Sequence, residues 1–180
     1  NWPPTLEAIS AYVWDEWSPI GIKNTLKSRR SIGLQIFNGA YLVSTNGISR
    51  DKIDHVVDYV VLPLSAKPWS HWIDTSSIHK SCEALQQEYG FSSFMSQQVA
   101  CDLRWVLDGT WEDRMTWAGI GPGSRRGMNR ILGRPSEFPL KQKQFEVELL
   151  ELIEKCHRYL SASIMNRLEA IDIQNCCCEL

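Results

Sequence analysis

Apolar residues return every three or four positions along most of this chain, the spacing that gathers them on one face of an α-helix. The clearest run is Lys141 to Tyr159, where Phe145, Leu149, Leu152, Ile153 and Cys156 form an inward stripe. Ile53, Val56, Val57, Val60 and Val61 do the same between Asp51 and Leu62, as do Phe94, Met95, Val99, Leu103, Val106 and Leu107 from Ser93 onward. Residues 32–44 suit either a β-branched strand or a buried helix, and the recurrence over 33–37 and 40–43 favours the helix. Thr5 begins a first helix with Ile9, Tyr12, Val13 and Trp17 on one face, and Pro19 is expected to end it. Asp74-Thr75-Ser76-Ser77 offers caps for a helix to about Tyr89, stopped by Gly90. Ser124 is expected to cap a helix from Arg125 to Leu132, and Ser161 to Asn175 is expected to form one more. The expected fold class is all-α.

The 180 residues suffice for one core that buries on the order of 70% of the unfolded surface. A hydrophobic content of 43% and a net charge of −2 exclude a disordered chain and a wholly basic nucleic-acid arm. No window approaches 18 uninterrupted apolar residues, and Asn1 to Trp17 carries three acids without the basic-then-apolar layout of a secretory signal. Neither a membrane partner nor a leader is expected. A chain that opens on Asn1 and stops at Cys178-Glu179-Leu180 is expected to be a piece of something longer. The cysteines at 82, 101, 156, 176, 177 and 178 lack zinc-ligand spacing, three of them being adjacent, and His55, His71, His79 and His157 are scattered. Reduced thiols in an intracellular setting, bacterial, phage-infected or nuclear, are expected, with no metal and no cofactor.

Lys23, Lys27, Arg29 and Arg30 form a basic strip without an acid, either a solvated helix face or a first strip for a phosphate backbone. Around Gly90-Phe91-Ser92 one helix closes and another opens. Such a turn aims free N–H groups outward, so Gly90 and Ser92 form either a backbone phosphate seat or an ordinary glycine-capped αα turn. The pattern resembles the helix-hairpin-helix motif, with Ser92 in place of its second glycine.

The stretch from Arg114 to Arg134 carries more information. Arginines stand at 114, 125, 126, 130 and 134 without an intervening Asp or Glu, in a chain that is acidic overall. Gly121, Gly123 and Ser124 form a glycine-rich helix start. Backbone can approach a ligand closely there, while Arg125, Arg126 and Arg130, with Asn129, can reach phosphate oxygens. Glu112, Asp113 and Glu137 are the acids at hand should the arginines be neutralised within the protein. Neither a Walker loop nor a dinucleotide fingerprint occurs.

Gly121-Pro122-Gly123-Ser124-Arg125-Arg126-Gly127-Met128-Asn129-Arg130, with Thr116-Trp117, Asp102-Leu103-Arg104, Phe37-Asn38-Gly39-Ala40-Tyr41 and Asp172-Ile173-Gln174-Asn175, resembles a known group. It is the glycosylase-like helical family of DNA thymine hypermodification. That family includes the α-glutamyl/putrescinyl thymine pyrophosphorylases, the amino acid:DNA transferases and the helical domain of 5-hydroxymethyl-deoxyuridine DNA kinases. The resemblance spans Ser31 to Glu179 and implies a helix-hairpin-helix, DNA-glycosylase-like domain over 31–180 that flips a 5-substituted pyrimidine out of DNA, with 1–30, which it does not cover, expected as a helical extension. In the transferase reading an amino acid or polyamine displaces pyrophosphate from the modified base. Arg125, Arg126 and Arg130 would then stabilise the leaving charge, and Asp172 or Asp102 would accept the amine proton. Asn38 and Asn175 would read the base edge beside Tyr41 and Trp117.

A glycosylase is the rival, although the position of its usual aspartate overlays Pro122. A non-catalytic DNA-binding module attached to a kinase or dioxygenase is the third reading. Plain alternatives stay open for single residues: a hydrogen-bonded scaffold for Asp172, a loop brace for Asp102, a hydrophobic brace for Trp117. All three functional readings share DNA as the partner, and none fixes the oligomeric state.

Overall fold

The computed structural model describes residues 3–37, 45, 47–104, 106 and 111–180, with backbone alone at 14 and 15. Among them every regular element is helical. In chain order these are α1 (Pro3–Ser10), α2 (Pro19–Ser31), α3 (Lys52–His55), α4 (Leu62–Ser65), α5 (Ile78–Gln86), α6 (Ser93–Leu103), α7 (Pro122–Ile131), α8 (Gln142–Tyr159), α9 (Ala162–Met165) and α10 (Ala170–Cys178). The chain divides into two compact units, Asn1–Pro68 with Glu88–Gly90, and Trp69–Gln87 with Phe91–Leu180.

In the first unit α1 continues through a wide π turn to Asp15. Pro19, expected to end that helix, instead begins α2: it needs no N–H at the first helical position, and Ser18 accepts the Gly21 amide as cap. Residues 32–37, expected to be helical, are not. Gly33 takes φ +82°, and the Gly33 and Leu34 amides donate back to Arg30 and Arg29, a closure that terminates α2. The helix expected to end at Leu62 runs through Pro63 to Ser65. Pro63 cannot donate to the preceding turn, and the π turn at Val56–Val61 precedes it. Ile22 and Leu26 of α2 pack on Ile53 and Val57, and Ile9, Tyr12 and Val13 lie against them.

Alongside that seam Lys23, Lys27 and Arg30 pair with Asp58, Asp54 and Asp51 at 2.8, 2.6 and 2.6 Å. The two sets of charges run in opposite sequence order at helical spacing. Each partly exposed pair contributes about 0–1 kcal/mol, so the ladder fixes register more than it adds stability.

The second unit is built around Ile78, Cys82, Ala100, Trp111, Met128, Phe145, Leu149 and Ile171. α5 starts at Ser77, whose hydroxyl accepts the Lys80 amide, and Asp113 accepts from the Ser77 hydroxyl and the Ile78 and His79 amides. It stops at Gln86, short of Tyr89. The helix expected over 161–175 is broken in two. Asp172 turns back to accept the Glu169 amide at 2.9 Å, and α10 starts there afresh.

Among the described residues α7 and α10 make the most extensive helix–helix contact. A side chain begun at Gly127 would overlap the Cys177 carbonyl, and one begun at Gly123 would stand 3.2 Å from the Cys178 sulfur. The two glycines, one turn apart, are what allow the backbones to meet. Gly127→Ala should therefore lower the unfolding free energy, read from urea titration, by about 1–3 kcal/mol or more, the cost of overpacking. Gly123→Ala should cost less, because a thiol can move aside and a backbone carbonyl cannot. Equal stability of both variants and the parent would refute this packing.

Candidate nucleic-acid interface

α7 begins on extended Gly121, with Pro122 at its first position. The helix therefore starts three residues before the expected Arg125, and Ser124 lies inside its first turn. The Ser124 hydroxyl accepts the Gly121 amide at 2.9 Å and donates to the Gly121 carbonyl at 3.2 Å. The Ile120 amide donates to Gln142 at 2.8 Å. The Gly121 donor of the expected phosphate seat is thus engaged within the protein, as is the neighbouring Ile120 amide, and the Cys178 sulfur lies against Gly123. Burial pushes the Cys178 thiol up, against the opposing pull of the Ser124 hydroxyl and amide. Asn129, expected at a phosphate, is fully buried and donates to the Ser136 and Phe138 carbonyls at 3.1 and 2.9 Å. It braces the loop that follows α7.

The arginines divide sharply. Arg134 donates two hydrogen bonds to Glu148 at 2.8 and 2.6 Å, and both side chains are less than 20% exposed. Arg114 lies 3.9 Å from Glu169. Arg125 meets Glu137 at 2.7 Å, one of the acids named from the sequence, but that glutamate is 69% exposed and the pair is correspondingly weak. Arg126 is half-buried and Arg130 exposed, four positions apart on one side of α7, and neither has a hydrogen bond or ion pair among the described residues. Helical neighbours of like sign repel unless an outside anion joins them.

Asp172 is occupied by Arg104 at 2.8 Å and by the amide that starts its own helix, and Arg104 also reaches Glu169 at 3.2 Å. Asp102 is exposed on α6 without a hydrogen bond or ion pair among the described residues. Asn175 is exposed on α10. Its neighbour Gln174, to which the sequence assigns no role, is fully buried and accepts from buried Gln97 at 2.6 Å. Its place in the Asp-Ile-Gln-Asn segment was the available signal. Gly90 takes φ +87°, and the Ser92 hydroxyl caps α6 by accepting the Met95 amide at 3.3 Å. Asn38 and Tyr41 lie outside the described residues. Burial pushes the Cys82, Cys101 and Cys177 thiols up to about 12, so they stay protonated as core fillers.

Trp117 donates its indole N–H to Glu146 at 2.9 Å and stacks on His79, with ring centroids 4.7 Å apart and planes 18° from parallel. Both rings line a cleft of about 800 Å³, together with Glu83, Gln86, Gly119 and Gln142. Neither Asp102 nor Asp172 is among its lining residues.

The family model described as "5-hmdU DNA kinase, helical domain" matches residues 1–180. No curated protein and no solved structure matches the chain.

The Arg134–Glu148 pair gives a pH signature. Hydrogen bonding from Arg134 holds the Glu148 carboxyl below its ordinary range, against the opposing effect of burial. A lowered folded-state value stabilises the fold above the unfolded value of about 4.3 and is lost as pH falls through the folded one. Glu148→Gln should be less stable than the parent at pH 7 and should lose less on acidification from about pH 5 to 3, read by thermal melting. Parallel acid limbs in the two proteins would exclude this role.

Proposed function

The chain belongs to the 5-hmdU DNA kinase helical-domain family, and from that premise we propose that it is a DNA-binding module serving modification of 5-hydroxymethyluracil. α7 presents the phosphate contacts. The observation that carries this reading is the sorting of the arginines: Arg104, Arg114, Arg125 and Arg134 face acids, while Arg126 and Arg130 stand adjacent on α7 with none. Guanidinium groups so placed fork onto successive phosphate oxygens and gain from the release of counterions. Of the rival basic strip, Lys23, Lys27 and Arg30 are already neutralised by Asp58, Asp54 and Asp51, which leaves Arg29 alone without an ion pair among the described residues.

The same geometry supports binding over transfer or excision. Transfer of an amine would need a carboxylate beside the reacting carbon to accept a proton, and excision would need one beside the sugar. Asp172 is held by Arg104 and by its own helix start, and Asp102 is exposed on α6 and not among the residues that line the Trp117 cleft. The pyrimidine-modifying step is then assigned to a catalytic partner, with this chain holding the DNA.

Arg126→Ala with Arg130→Ala should weaken binding to DNA of any sequence and reduce the slope of log K against log salt by about 2, since each phosphate neutralised accounts for about 0.9. Lys27→Ala should leave that slope unchanged. Incubation with 5-hydroxymethyluracil DNA or its pyrophosphorylated form, followed by nucleoside mass spectrometry, should yield neither an amine adduct nor abasic sites. An unaltered salt slope removes the α7 interface, and either product restores the corresponding enzyme reading.

A further inference from the structure

Two clefts adjoin on the first turns of α5. The larger, about 800 Å³, holds Trp117 and His79; the smaller, about 430 Å³, is lined by His71, Trp72, Ile73 and Asp74. They share Lys80 and Ala84 as a common wall. Either falls within the roughly 300–1,000 Å³ range that accommodates one small ligand, and the Lys80–Ala84 strip of α5 makes them neighbouring stations of one groove-like surface.

The chemistry of this groove differs from that of α7. Its charges are matched locally: His79 lies 3.4 Å from Glu83, and Lys80 lies 3.9 Å from Asp74. What it offers is aromatic surface at two stations. At the first, the His79 imidazole lies parallel to Trp117 at 4.7 Å, in the position a stacked base would take. At the second, Trp72 lines the smaller cleft beside Ile73.

We propose that this groove takes an unpaired stretch of DNA at least two nucleotides long, with one base continuing the Trp117–His79 stack and the next lying on Trp72. The proposal rests on the reading of the chain as a DNA-binding module and adds a preference for unstacked bases. Aromatic platforms bind any base through its face, while the phosphates remain with cations elsewhere.

The test measures the full chain against a labelled eight-residue oligothymidylate and a duplex of the same length, by fluorescence anisotropy at fixed salt. Trp117→Ala and Trp72→Ala should each weaken oligothymidylate binding roughly ten-fold or more, the loss typical of one stacked base. Trp117→Phe should keep most of the affinity, and duplex binding should be unchanged in all three. Ala84→Leu fills the shared wall without touching either tryptophan, and should reproduce the single-strand defect in a protein whose melting temperature shows it folded. Single-strand affinity that survives both Ala84→Leu and Trp117→Ala overturns the groove. Thymidine monophosphate competing as well as the eight-mer overturns the strand in favour of a single-ligand pocket. Failure of the parent to bind the duplex, by contrast, sinks the module reading itself, whatever the tryptophan variants do.

Discussion

The carbonyl oxygen of Cys177 lies where a side chain at position 127 would begin, so α7 and α10 can meet only through glycine. That approach sets the rotation of α7 about its own axis. With Gly123 and Gly127 turned to α10, Ser124 and Met128 are drawn into the core, and Asn129 is turned to the loop behind. Arg126 and Arg130 are left on the outer side. A helix with the same arginines but a bulkier seam would be pushed outward and turned, and its charges would address different neighbours. The glycines that a sequence reading assigns to ligand approach thus serve first as an approach between two backbones.

Electrostatics then sorts the cations by partner. Exposed ion pairs contribute little to stability, yet they decide which charges remain for an outside polyanion. In the first unit three of the four cations on α2, Lys23, Lys27 and Arg30, are matched by Asp58, Asp54 and Asp51. In the second, Glu148 and Glu169 hold Arg134 and Arg114, and Asp172 and Glu169 hold Arg104. A chain of net charge −2 can still present a cationic face, because its acids are placed beside some arginines of the second unit and away from Arg126 and Arg130 on α7.

Much of this was legible in residue order. The period of apolar residues predicted the helices, and α8 occupies nearly the range expected from its stripe. The Gly-Arg segment pointed to α7, and the family resemblance it carries, read from Ser31 to Glu179, agrees with the family match, which extends over residues 1–180. What could not be read was the direction of local signals. Pro19 is equally suited to ending one helix and starting the next, and Ser18 decided the matter by capping. Gly33 sat inside an apolar run whose period suited a helix, and only the chain-closing bonds to Arg29 and Arg30 show it as a stop. Ser124 resembles a cap, but Pro122 before it was the better helix start. Long-range pairing was beyond the sequence too: Arg134 and Glu148, or Gln97 and Gln174, are joined only by the packing of separate segments.

The central claim is that α7 is turned so that Arg126 and Arg130, and not their acid-paired neighbours, meet phosphate. The most direct measurement follows the arginine side-chain Nε–H signals by NMR as 5-hydroxymethyluracil duplex DNA is added. The account predicts that the Arg126 and Arg130 signals move and become protected from exchange with water, while those of Arg104 and Arg134 hold still. Unmoved Arg126 and Arg130 signals in a complex that forms, with shifts at Arg104 or Arg134 instead, would contradict it.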